Sequence, residues 1–255
     1  MKKSNTQKKS AFILAVLFFI CYPAGLYRIW KEDFRPSWIK WTYTIAGLPF
    51  FILIYVFAGI VLFASFLPEL DRTIGVRSDR TIRNLEDHYT VTFLKTSRET
   101  NGAYEEVKVE LDAGGGNIWH YHNAFVEKFH VIEGDLTIGM EGKAVAITTG
   151  TDTIAPIGMM HKFYNTSSKP VTFLVKIVPA RSFEKTIRSA YGLMAKGKSS
   201  PDGMPKSMWH LFLILGYSES YLEGVPGFIQ EPLINALSKI AQWRGFDKDL
   251  EQFYR

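Results

Sequence analysis

Histidine and glutamate residues in one short segment form the most specific chemical pattern of this chain. His120 and His122 are separated by a single residue, so on a β-strand both side chains point to the same face. Two imidazoles in that arrangement can bind one metal ion. Glu127 follows five positions after His122, which is an odd spacing relative to the strand pleat. A bulge or turn must therefore lie between His122 and Glu127 if the three side chains converge.

The residues that follow indicate the strands that would position this pattern. Apolar and polar residues alternate after Glu127, and residues 133–135, Glu-Gly-Asp, are typical of a tight turn. Leu136, Ile138 and Met140 then continue an apolar face. These features predict a β-hairpin that carries its metal ligands on the inward face.

A second segment adds a third histidine in a similar setting. Gly150, Pro156 and Gly158 mark turns, and His161 and Phe163 then share one face of a strand-like stretch. The chain therefore offers imidazole ligands from two separate strand regions.

Together the two segments resemble the two sequence motifs of the cupin family. The first is similar to G-x5-H-x-H-x4-E-x6-G, with Gly114, His120, His122, Glu127 and Gly134 at the motif positions. The second is similar to G-x5-P-x-G-x2-H-x3-N, with Gly150, Pro156, Gly158, His161 and Asn165 at the motif positions. Both motifs are intact, and the resemblance covers roughly residues 70–180, as in a single-domain, type-2-like cupin.

This resemblance implies a mainly β fold, a cupin barrel of the jelly-roll or double-stranded β-helix type. It also implies that His120, His122, Glu127 and His161 are the ligands of one divalent transition metal. Fe, Mn, Ni, Cu and Zn all suit this donor set, and the sequence does not choose among them. The alternative is a barrel that keeps the motif and binds no metal.

Other candidate residues are less specific. Phe129, Met140, Met159 and Phe163 are either the wall of an apolar pocket or ordinary core residues of the barrel. No separate catalytic acid or base is recognised. His130 would face away from the ligands, so we expect it at the surface or in dimer packing.

The N-terminal part of the chain predicts a helical hairpin in a membrane. A basic tail, residues 1–10, precedes two apolar runs that predict transmembrane helices at about residues 11–28 and 42–67. The first run is short enough to suit a signal peptide, but no clear cleavage site follows it. One span plus an interfacial helix is the alternative to two spans.

Basic residues predict the orientation of these helices. The tail and the segment after the second run carry more lysine and arginine than the connection between the runs. This bias predicts that the tail and the barrel lie in the cytoplasm. Together with the two apolar runs, it predicts an integral protein of the cell inner membrane.

Residues 181–255 predict a C-terminal helical extension. Apolar residues at helical spacing indicate helices within residues 183–196, 208–217 and 226–246. We expect these helices to pack on the barrel or on a second subunit. The alternative is an interfacial anchor lying on the membrane.

Composition excludes several classes of site. The 255 residues contain one cysteine, Cys21, so neither an intrachain disulfide nor a cysteine-based zinc site can form. The formal net charge is +5, and part of the excess lies in the N-terminal tail. No pattern of arginine and aromatic residues indicates nucleic-acid binding.

These observations predict a membrane-anchored, metal-binding cupin-domain protein. The first hypothesis is a mononuclear-metal enzyme, dioxygenase-like or isomerase-like, that acts on a small molecule. The second is a sensory module that binds a small ligand without catalysis. A third makes the barrel only a dimerisation unit. The expected partners are a small-molecule ligand or substrate, the lipid bilayer and a second copy in a homodimer.

Overall fold

The computed structural model describes residues 13, 21–31, 35–84, 88–201 and 203–255. The chain divides into two compact units, Met1–Leu62 and Phe63–Arg255.

The first unit is helical where it is described. Helix α1 spans Tyr22–Lys31, and helix α2 spans Ser37–Ser65 and continues three residues into the second unit. The hydroxyl of Tyr22 donates to the carbonyl of Tyr43, 2.7 Å away, so α1 packs against α2. Only α2 is long and apolar enough, among the described residues, to cross a membrane, a judgement that rests on length and composition alone.

The two predicted membrane spans therefore have different outcomes. The span predicted at 42–67 corresponds to α2, which begins five residues earlier. The span predicted at 11–28 lies mostly outside the described residues, and the described helix there, α1, has 10 residues, too few to cross a bilayer. A hairpin of two spans stays a prediction.

The second unit contains eleven described strands in two antiparallel sheets. In chain order they are β1 (Thr81–Asn84), β2 (Tyr89–Lys95), β3 (Glu105–Leu111), β4 (His120–His122), β5 (Val126–Glu133), β6 (Asp135–Met140), β7 (Lys143–Thr148), β8 (Asp152–Ala155), β9 (His161–Tyr164), β10 (Val171–Val178) and β11 (Ser220–Leu222). One sheet has the order β1-β2-β3-β10-β5-β8, and the other has the order β11-β4-β9-β6-β7.

Alternating side chains explain why these segments form half-buried strands. In β10 every second residue is buried, beginning with Val171 and ending with Ile177. Apolar side chains from both sheets, such as Phe129 of β5 and Ile138 of β6, meet in one core. The mainly β, jelly-roll-like architecture that the sequence predicts is confirmed.

The hairpin predicted between β5 and β6 is wrong. β5 pairs with β10 and β8, whereas β6 pairs with β7 and β9 in the other sheet. The chain crosses between the sheets at Gly134, whose φ of +87° favours glycine. A Cβ there would lie 3.1 Å from the carbonyl oxygen of Pro170. The same alternation of apolar residues fits a hairpin and a crossing, so the sequence pattern did not distinguish them.

Four helices follow the barrel strands and build a second, smaller core. They are α3 (Phe183–Ala195), α4 (Met208–Ser218), α5 (Gly227–Trp243) and α6 (Lys248–Tyr254). The core that they share with Leu70 contains Leu193, Leu213, Ile214, Tyr217, Ala241, Leu250 and Tyr254. The three predicted helices are present, but α6 and the strand β11 between α4 and α5 were not anticipated.

Buried charged groups fix α3 against the barrel. The guanidinium of Arg188, 2% exposed, contacts the carboxylates of Glu184 at 2.8 Å and Asp79 at 3.0 Å. Glu105 of β3 is buried beside the beginning of α3, and burial together with the charge of Glu184 raises its pKa to about 7.

Candidate metal centre

Two short neighbouring strands of one sheet hold the three histidines, and a third strand, β11, flanks them. His120 and His122 occupy the two ends of β4, and His120 lies opposite His161 of the neighbouring strand β9. On the other side of β4, Ser220 of β11 lies opposite His122. Because His120 and His122 are two residues apart on a strand, their side chains point into the barrel together, as the sequence predicts.

Glu127 reaches the same point from the opposite sheet. The chain bends after β4, enters β5 at Val126 and so changes sheets between His122 and Glu127. One carboxylate oxygen of Glu127 lies 3.1 Å from Nε2 of His161, and the other lies 3.5 Å from Nε2 of His122. The four side chains place one ligand atom each within 4.8 Å of one another. The predicted quartet therefore converges between the sheets.

Hydrogen bonds on the outer side of each ring orient the imidazoles. Nδ1 of His120 donates to the carbonyl of Ile118 at 2.8 Å, and Nδ1 of His161 donates to the carbonyl of Met159 at 2.9 Å. Because a carbonyl only accepts, both rings carry their outer proton on Nδ1. This leaves Nε2 directed at the centre of the cluster.

Ser220 has the same role for His122. Its Oγ lies 3.1 Å from Nδ1 of His122 and donates its own proton to the carbonyl of Ser218 at 3.3 Å. The hydroxyl oxygen therefore accepts from the ring, and His122 takes the same tautomer as the other two histidines. A partner on the outer nitrogen is the usual way in which proteins fix a metal-binding histidine.

The electrostatics of the cluster reflect its burial and close packing. Burial, reinforced by the neighbouring His122 and His161, lowers the pKa of His120 to about 3. Burial opposes ionisation of Glu127, but His122 and His161 outweigh it and hold the pKa of that carboxyl well below its usual range. Burial also opposes a charge on His161, yet its hydrogen bond with Glu127 raises the pKa of the ring.

The residues present fit a divalent transition metal. Nε2 of His122 is buried and has no hydrogen-bond partner, although a buried polar atom normally has one. A metal ion at the centre of the cluster would satisfy this nitrogen. Three imidazoles and one carboxylate form a mixed nitrogen and oxygen donor set, which Fe, Mn, Ni, Cu and Zn accept.

A cavity of about 250 Å³ leads from the cluster into the space between the barrel and the C-terminal helices. His120, His122 and Glu127 contribute to its wall, and most of the remaining lining is apolar. Of the four predicted wall residues, only Phe163 lines this cavity. The other three lie around His161 instead. The ring of Phe129 packs near the imidazole, and Met140 of β6 is paired with His161 of β9. The backbone carbonyl of Met159 accepts from Nδ1 of His161.

His130 lies outside the cluster, with its side chain 44% exposed and bonded to Asp152 at 2.7 Å. Ser220 was not identified from the sequence, because it lies 98 residues from His122 and its three-residue strand is too short to give a periodic signal.

The family comparison agrees with this geometry. Residues 107–177 match the family described as Cupin domain, Cupin_2. That range contains all four residues of the cluster and strands β4 to β9. No curated protein matches the chain.

Many solved structures are similar to part of the chain. They include KdgF from Halomonas sp., with 18% identity over 39% of this chain and 86% of that one and a TM-score of 0.35. A sugar phosphate isomerase of the cupin superfamily from Silicibacter pomeroyi has 25% identity over 44% and 75%, with a TM-score of 0.34. A predicted oxalate decarboxylase from Thermotoga maritima has 20% identity over 46% and 96%, with a TM-score of 0.35. The family match over residues 107–177 identifies this part of the chain as a cupin domain.

Proposed function

We propose that this protein is a membrane-anchored, metal-dependent cupin enzyme that acts on a small molecule. The observation that carries the proposal is the convergence of three oriented imidazoles and one carboxylate, with His120, His122 and Glu127 lining a cavity. A purely structural barrel would not require a buried, unpartnered nitrogen such as Nε2 of His122.

The chain's own residues would hold the ion and shape the site. His120, His122, Glu127 and His161 are the ligands, and a four-ligand set leaves coordination positions for substrate or water. The bound ion would supply Lewis acidity or redox capacity toward a chelating substrate or dioxygen. The apolar lining of the cavity would keep bulk water from the reacting groups. Dioxygenase-like and isomerase-like reactions both suit this arrangement.

Metal analysis of the purified full chain tests the site directly. We expect close to one transition metal ion per chain in the wild type and a large loss in His122→Ala. His130→Ala is the matched control, because His130 lies on the same barrel but outside the cluster. Less than about 0.2 metal per chain in the wild type would contradict the proposal, since an intact four-ligand site should retain much of its ion.

Oxygen consumption separates the two reaction classes. The protein is loaded anaerobically with Fe(II), and oxygen uptake is recorded after addition of candidate substrates. Uptake that depends on the substrate and is lost in His122→Ala supports the dioxygenase-like reaction. Conversion of a substrate without oxygen uptake supports the isomerase-like reaction.

A sensory function is the second candidate, and one observation favours it. Strand β11 joins the ligand-bearing strand β4 directly to helices α4 and α5, so ligand binding at the cluster could be transmitted to the C-terminal segment. A sensor would bind its metabolite stoichiometrically and release it unchanged. Turnover of any bound metabolite would argue against this candidate.

The membrane anchor rests on α2 and on the charge bias of the sequence. Helix α2 is apolar over most of its 29 residues, and Trp38 and Trp41 near its beginning are exposed, as interfacial aromatic residues are. We expect the protein to resist alkaline carbonate extraction and a C-terminal fluorescent-protein fusion to be fluorescent in the cytoplasm. Recovery in the soluble fraction would contradict the anchor, and a periplasmic C-terminus would contradict the orientation.

A homodimer also remains a proposal. Light scattering of the purified chain gives the mass of the assembly, and a mass of one chain would contradict it.

A further inference from the structure

Two different parts of the second unit build the cavity beside the cluster. Strands β2 and β3 contribute Val91, Val107 and Val109 to one side. Helices α3 and α4 contribute the facing side, with Ile187, Tyr191, Leu211, Ile214 and Leu215. The C-terminal helices are therefore part of the ligand site and not only a support for the barrel.

Several polar side chains of the wall are engaged within the protein, and Oδ1 of Asn117 likewise accepts from the backbone N–H of Phe163 at 2.7 Å. The hydroxyl groups of Tyr89 and Tyr191 are hydrogen-bonded to each other. The hydroxyl of Thr186 donates to the carbonyl of Ser182, and that of Ser218 donates to the carbonyl of Leu215. Because these groups already have partners, the wall away from the cluster offers a ligand mainly apolar contact.

The cluster provides the contrasting end of the site. Among the described residues of the cavity wall, Nε2 of His122 is a buried side-chain nitrogen that has no hydrogen-bond partner. A ligand that fits the whole space must then combine one polar or metal-binding group with an apolar body.

We propose that the ligand is a compact amphiphile with a single oxygen-containing head group at the cluster. Its apolar body lies between strands β2 and β3 and helices α3 and α4. This inference rests on the proposed metal function for the head group, but the apolar part of the site stands on the cavity wall alone.

The volume of the cavity limits the size of the ligand. If each non-hydrogen atom takes roughly 30 Å³, the share of one water molecule in the liquid, a cavity of about 250 Å³ holds a ligand with on the order of eight such atoms.

A series of straight-chain alkyl hydroxamic acids tests the proposal, because a hydroxamate chelates metal and its alkyl chain reports on the cavity. Calorimetric titration uses the full chain loaded with Zn(II) in lipid nanodiscs, with probes from two to ten carbons. We expect affinity to rise roughly fourfold for each added methylene up to an optimum length and then to fall.

Two variants of opposite effect make the result specific to this cavity. Ala190→Leu adds three carbons to the wall and should move the optimum to a shorter probe. Leu215→Ala removes three carbons and should move it to a longer one. Leu94→Ala is the control, since Leu94 is exposed on the outside of β2 and should leave the optimum unchanged. Partition of the probes into lipid is common to all four proteins and does not affect the comparison.

The outcomes separate this inference from the metal function. Equal affinity for all chain lengths, or the same optimum in all four proteins, overturns the apolar site. If no hydroxamate binds, straight-chain 1-alkanols are titrated into the same proteins. Alkanol binding that shifts with Ala190→Leu and Leu215→Ala supports the apolar site while the proposed metal function fails. No alkanol binding overturns the inference.

Discussion

Replacing Ser220 by alanine should weaken metal binding about tenfold without unfolding the protein. The hydroxyl of Ser220 accepts the Nδ1 proton of His122 at 3.1 Å, and no other partner of that nitrogen is described. In Ser220→Ala the ring loses the contact that fixes its tautomer and its rotation. His120 and His161 keep their backbone partners, so one ligand of four is affected.

The expected size follows from the kind of contact that is lost. A neutral hydrogen bond contributes about 0.5–1.5 kcal/mol, which corresponds to roughly a 2- to 13-fold change in affinity. Loss of an outer partner of a metal ligand typically costs about 10- to 100-fold. The serine contact is a single neutral bond to one ligand, so we expect a loss at the low end of the second range. A tenfold loss of affinity lies within both ranges.

Competition against a chromophoric zinc chelator measures the affinity of each protein. Thr81→Ala is the control, because it also removes a hydroxyl, but that of Thr81 lies on β1 and contacts Thr92 and not His122. Ser220→Thr keeps the hydroxyl and should restore most of the affinity. Equal affinities of wild type and Ser220→Ala, with unchanged thermal unfolding, would refute the positioning role of Ser220.

Three further predictions concern stability and are measured by thermal unfolding of the full chain. The pKa of Glu105 is about 7 in the folded protein and about 4.5 when solvated, so stability from its bound proton is present at pH 5 and is lost toward pH 8. Glu105→Gln cannot ionise and should remove roughly 2–3 kcal/mol of this pH dependence between pH 5 and pH 8, whereas parallel pH profiles of wild type and variant would contradict the assignment. Arg188→Leu leaves the buried carboxylate of Glu184 unpaired and should cost about 3–5 kcal/mol. The exposed ion pair of Arg80 provides the control, and Arg80→Leu should cost no more than about 1 kcal/mol. Gly134→Ala should cost at least about 1–2 kcal/mol, because alanine is strained at a φ of +87° and its Cβ would crowd a carbonyl oxygen; an unchanged melting temperature would show that the crossing tolerates a side chain.

The sequence by itself predicted the quartet of candidate ligands, through its resemblance to the cupin motifs, and the type of fold around it. His120 and His122 share a face because the strand pleat repeats every two residues, which is a purely local property. The need for a bend before Glu127 also followed from local spacing, and the structure shows a bend and a change of sheet there. The apolar length of α2 was equally readable, since length and composition are properties of the segment alone.

Only the tertiary structure decided how the segments meet. Period-two alternation does not specify a strand's partner, so the sequence pattern suggested a hairpin where β5 and β6 belong to different sheets. The contact between Ser220 and His122 joins residues 98 positions apart through a strand of three residues. The cavity wall likewise depends on where α3 and α4 pack on the barrel, which no local pattern encodes. Short-range geometry and the motif resemblance thus predicted the candidate ligands, and long-range packing specified what orients them and what they face.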